Sequence, residues 1–557
     1  MAFFTTANGK ADQSPYNVRG FGAKGDGKAI DTPSINRAIE TAAAAGGGTV
    51  YFPAGSYLCF SIRLKSKVAL YLDHGATIVA ADPSEGKGKY DPPEPNEWDK
   101  YQDFGHSHWQ NSLIWGENLE GVSILGPGLI WGKGLVRSGN QSRTREQNDA
   151  LRNAQSAGPF GYPNPRDAVE AGWGNKAISL KLCRNVVIRD VSILHGGHFA
   201  ILATGVDNLT IDNVKIDTNR DGIDIDCCRQ VRISNCSVNS PFDDGICPKS
   251  SYGLGFARAT ENVTITNCQV SGYDEGSFLD GSYKREHKNS TGRIKFGTES
   301  NGGFKNITIS NCVFDYCRGL ALEAVDGGLL EDVTINNLTM RDITNAPIFL
   351  RLGNRARGPK ETTSTGALRR VIISNVVAYN ADPKYGSIIS GIPGHNIEDV
   401  KLSNIKIYYQ GGGTKAQAAL EPPEKEKDYP EPTMFGEIPA YGFFIRHVKG
   451  IEMNDVEVSF IKDDLRPAFV LSDVNGADFQ HVKARQVQDV PVFALTNVEN
   501  FSVHHSWPLP DKRLERVKQE KLGVKSEGTQ GHLLMDRCGR PRKPARTPVT
   551  TFFGKTI

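Results

Sequence analysis

A nine-residue unit recurs through most of this chain, and it constrains the fold more than any other feature. The unit reads Asx, β-branched, any residue, Ile or Leu, any residue, Asn, Cys or Val, any residue, apolar. It appears as NVVIRDVSI from Asn185, NLTIDNVKI from Asn208, QVRISNCSV from Gln230 and NVTITNCQV from Asn262. It continues as NITISNCVF from Asn306, DVTINNLTM from Asp332, RVIISNVVA from Arg370 and DVKLSNIKI from Asp399, with weaker copies from Gly450, Ala477 and Asn500. The steps from Asn185 to Asn208 to Gln230 are 23 and 22 residues, and later steps are that length plus an insertion. Each copy alternates β-branched apolar residues with polar ones, the signature of a strand with one buried face. The Asn or small residue in mid-unit marks a bend between two strands.

Short strands at a fixed period, without a helical pattern between them, predict a solenoid. We expect an all-β right-handed parallel β-helix in which equal phases of successive coils stack. A doubly wound α/β sheet would need roughly a dozen helical residues between strands, and the gaps are mostly shorter. A β-sandwich would need hairpin signals, which are scarce. One helix is expected near the start, over 32–42, with Thr32 and Pro33 at its entry and Gly46-Gly47-Gly48 at its exit. It would cap the exposed end of the stack, as repeat proteins require. The repeat also overrides the length prior of several domains for 557 residues. The expected organisation is an N-terminal extension over 1–14, one β-helix domain over 15–510, and a basic, poorly structured tail over 511–557. The segments 87–103 and 141–166 read as long loops, and insertions on a solenoid tend to gather on one face and wall a groove.

A formal net charge of +2 implies no general nucleic-acid field. No apolar run reaches membrane-spanning length, and the opening Met1-Ala2-Phe3-Phe4-Thr5-Thr6 lacks the apolar core of a signal peptide. The ten cysteines do not read as a disulfide set. Cys236, Cys268 and Cys312 follow Asn235, Asn267 and Asn311 at one repeat phase, where stacking places a small apolar residue in an interior ladder. Neither a CxxC pair nor a Cys/His cluster points to a metal, and no cofactor or metal is expected. The chain is expected to be a monomer, with neither nucleic acid nor membrane as a partner.

Two acidic segments lie about one coil apart within this frame: Asn219-Arg220-Asp221-Gly222-Ile223-Asp224 and Phe242-Asp243-Asp244-Gly245. Stacking brings such carboxylates together on one surface. Carboxylates facing each other across a groove are the minimum equipment for acid/base hydrolysis of a glycosidic bond. Consecutive strand residues point to opposite faces, so a bend at Pro241 and Gly245 is needed for Asp243 and Asp244 to act together.

These two motifs resemble glycoside hydrolase family 28, the polygalacturonases and their relatives. The first is similar to the family's Asn-Thr-Asp-Gly-apolar-Asp, and the second, with Lys249 at its end, to its Gly-Asp-Asp run closed by a lysine. The opening Asn17-Val18-Arg19-Gly20-Phe21-Gly22-Ala23-Lys24-Gly25-Asp26-Gly27 looks like the N-terminal cap of pectin-active β-helix enzymes. The resemblance spans roughly residues 15–510. It implies an inverting hydrolase of pectic polysaccharide, secreted or periplasmic. Asp243 would be the general acid, and Asp221 and Asp244 would hold and deprotonate the attacking water. Inverting pairs stand about 6.5–9.5 Å apart, whereas coils repeat at about 4.8 Å, so a step along the coil must supply the difference.

The chain departs from the family at two further motifs. Gly292 stands where the family's Gly-His-Gly histidine is expected. The coil Cys317-Arg318-Gly319-Leu320-Ala321-Leu322-Glu323, where Arg-Ile-Lys belongs, is apolar. Arg293 and Lys295 would substitute from the adjacent coil, outward-facing, while Ile294 and Phe296 face the core. With Asn219, Lys249, His198 and Arg351 they complete the candidate substrate contacts. Asp274, Glu275 and Glu299 are nearby carboxylates without an assigned role, and Asp224 and Asp226 read equally as site residues or as solvated turn residues. Rhamnogalacturonan hydrolases of the family also lack Gly-His-Gly and are the first alternative. A β-helix pectate lyase and a non-catalytic carbohydrate-binding β-helix are the others.

Overall fold

The computed structural model describes residues 15–102, 105–136 and 172–524. Its architecture follows from the repeat: a right-handed parallel β-helix whose strands stack coil upon coil. A six-stranded parallel sheet runs through Ile62–Arg63, Ile114–Glu117, Lys176–Lys181, Phe199–Thr204, Asp221–Asp226 and Ile246–Lys249. Register alignment turns the alternation into an isoleucine ladder through Ile62, Ile114, Ile178, Ile201, Ile223, Ile246 and Ile294. Each of these side chains is fully buried, a contribution of roughly 1.5–3 kcal/mol apiece. A second, much larger sheet holds the repeat strands, with Val231, Val263, Ile307, Val333, Val371 and Val400 in successive register.

The Asn of each unit has a backbone reason. Asn235, Asn267, Asn311, Asn337, Asn375 and Asn404 all adopt φ between 52° and 57°, the left-handed region that Asn tolerates better than other side chains. Their amides form an outer ladder: Asn311 donates to Asn267 at 3.2 Å, Asn337 to Asn311 at 2.9 Å, and Asn375 to Asn337 at 3.0 Å. Cys236, Cys268 and Cys312 follow three of these turns into the core, and the nine described cysteines are all buried free thiols.

The expected helix spans Thr32–Ala44. It buries Ile35, Ala38, Ile39 and Ala42, one helical face, against the first coil. At the far end the boundary differs from expectation. Residues assigned to the tail form a strand, Lys512–Leu522, which pairs antiparallel with Phe493–His504 and covers the last edge of the stack. Residues 525–557 of that tail, the 1–14 extension and the whole of the 141–166 loop lie outside the described residues. Among the described residues, no helix is long and apolar enough to cross a membrane.

Candidate active site

The site is built on the outer face of the six-stranded sheet. In Asp221–Asp226, Ile223 and Ile225 point inward, so Asp224 points outward, with Asp221 at the strand entrance. One coil on, no strand covers 240–245, and this bend lets both Asp243 and Asp244 face Asp221. The Asp244 N–H donates to Asp221 Oδ1 at 3.2 Å and to Asp243 Oδ1 at 3.1 Å. Each of the three carboxylates brings an oxygen within 4.8 Å of the other two.

Cations flank this cluster on three sides. Arg220 pairs with Asp243 at 2.9 Å. Lys249 Nζ lies 3.2 Å from Asp221, 3.1 Å from Asp224, 3.6 Å from Glu299 and 2.8 Å from His106 Nε2. Arg293 Nε and Lys295 Nζ each stand 2.9 Å from Asp244, and both reach Glu323 at 3.9 Å. Glu431 closes this last group, touching Arg293 and standing 3.0 Å from Arg318 and 3.8 Å from Lys295.

Burial and neighbouring charge divide the carboxyls. Burial, reinforced by Asp224 and Asp243, holds Asp221 well above the usual carboxylate range. Burial also acts on Asp243, but Arg220, Lys295 and Lys249 outweigh it and hold that group low. Burial thus favours the protonated form at Asp221, while the neighbouring cations favour the ionised form at Asp243, the more exposed of the two at 21%. Burial pushes Glu323 up to about 8 despite Lys295 and Arg293. Burial opposes the charge on Lys249, yet Asp221 and Asp224 keep it firmly protonated.

Among the described residues, two groups have donor atoms close enough to share an ion, His106–Asp221–Asp224 and Asp221–Asp243–Asp244. The first holds the Lys249 ammonium at hydrogen-bonding distance from all three residues or nearly so. The second is neutralised by Arg220, Arg293 and Lys295. Side-chain cations thus do the charge balancing that a metal would otherwise supply.

The structure gathers Asp221, Asp243, Asp244, Lys249, Arg293 and Lys295 into one site, with two corrections. Arg293 and Lys295 do face outward, opposite Ile294 and Phe296, but they are 1% and 2% exposed rather than groove-lining. The outer face is roofed by insertions: Trp109 packs on Phe199 and Leu202 at one end, and Phe435 and Ile438 pack with Phe349 and Ile388 at the other. Arg351 is not a groove residue. It lies in register with Glu323 but donates to Ser390 Oγ at 3.1 Å, Gly391 O at 2.9 Å and Glu424 O at 2.8 Å, anchoring an insertion. Asn219 donates to Glu275 Oε2 at 3.0 Å. His198 stacks edgewise on Phe199, the residue in register with Asp221, with ring centroids 4.6 Å apart. Gly292 has φ +50°, and a Cβ there would lie 2.0 Å from Ser271 O, so this backbone admits no histidine. The imidazole in the cluster comes instead from His106. Sequence reasoning missed it, along with Arg220, Glu323 and Glu431. For His106 and Glu431 the one available signal was the tendency of solenoid insertions to converge on one face.

Known proteins share this frame. Residues 16–93 match the family model described as rhamnogalacturonase A/epimerase, pectate lyase-like, and residues 166–282 match that of the right-handed β-helix region. A probable polygalacturonase from Vitis vinifera is 23% identical over 70% of this chain and 73% of its own length. Alginate lyase 7 from Azotobacter vinelandii is 49% identical, but over only 13% of this chain and 8% of its own length. The family 28 exopolygalacturonase of Yersinia enterocolitica superposes with a TM-score of 0.60 at 19% identity, covering 85% of this chain and 79% of that one. Fold and matches define a right-handed parallel β-helix. Within that class the chain is similar to polygalacturonases and to a family 28 exopolygalacturonase.

Proposed function

We propose that the protein hydrolyses glycosidic bonds of pectic polysaccharide. The observation that carries this reading is the meeting of Asp221, Asp243 and Asp244 within 4.8 Å on the outer face of the coil stack. The polygalacturonase relative supports the substrate class. In this reading Asp221 and Asp243 share one proton, and Asp243, the more exposed of the two, is where a glycosidic oxygen can arrive. As that oxygen displaces Arg220 from Asp243, the proton crosses from Asp221 to Asp243 and on to the leaving oxygen. Asp221, now ionised, works with Asp244 to take a proton from the attacking water, whose hydroxyl bonds to the anomeric carbon. The cycle ends with the proton on Asp221 again, the resting state. General acid assistance of this kind contributes about 10²–10⁴-fold.

Inversion at the anomeric carbon is the reading the family resemblance supports, with the water seated between Asp221 and Asp244. The close approach of one oxygen from each group also fits a second reading. Retaining pairs stand closer than inverting ones, about 5–5.5 Å between carboxyl groups, and a carboxylate then attacks the sugar directly. The anomeric configuration of the first product, followed by NMR, separates the two. Rhamnogalacturonan is the alternative backbone, supported by the N-terminal family match. A lyase reading draws on the short alginate lyase match. Incubation with homogalacturonan, rhamnogalacturonan and xylogalacturonan, with product sizes followed over time, tests backbone choice and hydrolysis together. An extracellular or periplasmic setting fits such a polymer.

A further inference from the structure

The insertion over 412–442, between the strands Ile397–Gly411 and Phe443–Lys462, crosses the roofed face of the site. It is a built element. Arg446 donates to Pro422 O at 2.7 Å and Pro423 O at 2.9 Å, and Arg351 holds Glu424 O. The Asn354 N–H holds Glu426 O at 2.7 Å. Phe435 lies 5.2 Å from the Arg351 guanidinium and 5.4 Å from that of Arg446, and it packs into an apolar cluster with Ile438 and Phe349.

So fixed, the insertion delivers one carboxylate to the basic group beside Asp244. Glu431 Oε1 accepts from Arg293 and lies 3.8 Å from Lys295, while Oε2 lies 3.0 Å from Arg318. Tyr429 Oη adds a contact to Lys295 at 3.4 Å. Three cations converging on one point form a carboxylate seat, the geometry that would otherwise recognise an acidic sugar. Here the seat is filled from within. A substrate carboxylate would have to displace an ionised group tied to a chain segment anchored on both sides.

We infer that Glu431 is a specificity-determining residue: by filling the anion seat formed by Arg293, Lys295 and Arg318, it makes the sugar position beside Asp244 select a residue without a free carboxylate, either a neutral sugar or an esterified uronate. This rests on the pectic hydrolase reading for its substrate, but not for the seat itself. Burial would favour the neutral acid, yet Arg293, Arg318 and Lys295 hold Glu431 down to about 2, so the seat is occupied by a charge at any ordinary pH.

The test compares wild type with Glu431→Gln, which keeps the shape, and Glu431→Ala. The first readout is the ratio of kcat/KM on polygalacturonate to kcat/KM on heavily methyl-esterified polymer. The inference expects wild type to favour the esterified polymer, and both variants to shift the ratio toward polygalacturonate by about 10-fold or more, the effect of one charge-assisted contact. The second readout needs no catalysis: added galacturonate should raise the Tm of the variants and leave that of wild type unmoved. An unchanged ratio with no gain in galacturonate stabilisation overturns the inference, and so does wild type stabilised as much as the variants. If no pectic polymer is cut by any form, the hydrolase reading fails, and the Tm readout still decides whether Glu431 fills an anion seat.

Discussion

Arg293 donates its Nε–H to Asp244 Oδ1 across 2.9 Å, and neither side chain is more than 3% exposed. Removing one partner from a buried, hydrogen-bonded ion pair costs about 3–5 kcal/mol, because the other charge is left uncompensated. Arg293→Ala is therefore expected to lower stability by that order as well as to cripple catalysis through a mispositioned Asp244. Denaturant unfolding checks this. A variant as stable as wild type would return Arg293 to the role of a dispensable surface cation.

Arg220 is expected to set the acid side of the pH profile. Its guanidinium holds Asp243 below the usual carboxylate range, against the upward push of burial. In the proposed mechanism the active form of the pair carries one proton, so activity is expected to fall in acid as Asp243 takes up a second. Arg220→Gln removes the cation and raises the Asp243 pKa, and the acid limb of kcat/KM should move to higher pH. A limb that stays in place would exclude Arg220 as the tuning group.

Glu323 links stability to pH. Burial raises its folded pKa to about 8, well above the value of about 4.3 in an unfolded chain. A group raised in this way contributes stability that is fully present below the unfolded value and is lost as pH rises through the folded one. Glu323→Gln has no such proton to lose. Its Tm relative to wild type should climb between about pH 5 and about pH 8, the interval between the two pKa values. Parallel Tm curves for the two proteins across that interval would contradict the assignment.

Chelation should leave activity intact. The carboxylates meet Lys249, Arg220, Arg293 and Lys295 directly, and the proposed steps use only carboxyl groups and water. Activity lost in EDTA and restored by Ca²⁺ would favour the lyase reading.

What could be read from the sequence was what repeats. Val231, Val263 and Ile307 announce a stacked core because each recurs at one phase of the nine-residue unit. The Asn turns announce their bends because one backbone conformation recurs with them. Asp221, Asp243 and Asp244 ride on that frame, so their meeting follows from it. The roof does not repeat. His106 reaches Lys249 from 143 residues away, and Glu431 reaches Arg293 from 138. No periodic pattern encodes such pairs, and Arg293 and Lys295 therefore read as open groove residues. Arg351 shares the outward phase of the site, but phase does not reveal that backbone carbonyls of an insertion consume its donors. Lys512–Leu522 was hidden for another reason: its few apolar residues, Leu514, Val517 and Leu522, are lost among charges, and it pairs antiparallel, outside the repeat.

The most direct measurement is cleavage of pectic polymers in oxygen-labelled water by wild type and by Asp243→Asn. Hydrolysis places one labelled oxygen at each new reducing end and forms no unsaturated sugar. Asp243→Asn should stay folded, with a Tm lowered by loss of the charge that Arg220 pairs, and lose about 10²–10⁴-fold in rate, since Asn keeps the shape but cannot deliver a proton. An unsaturated product, or a folded Asp243→Asn protein that turns over like wild type, would contradict the account.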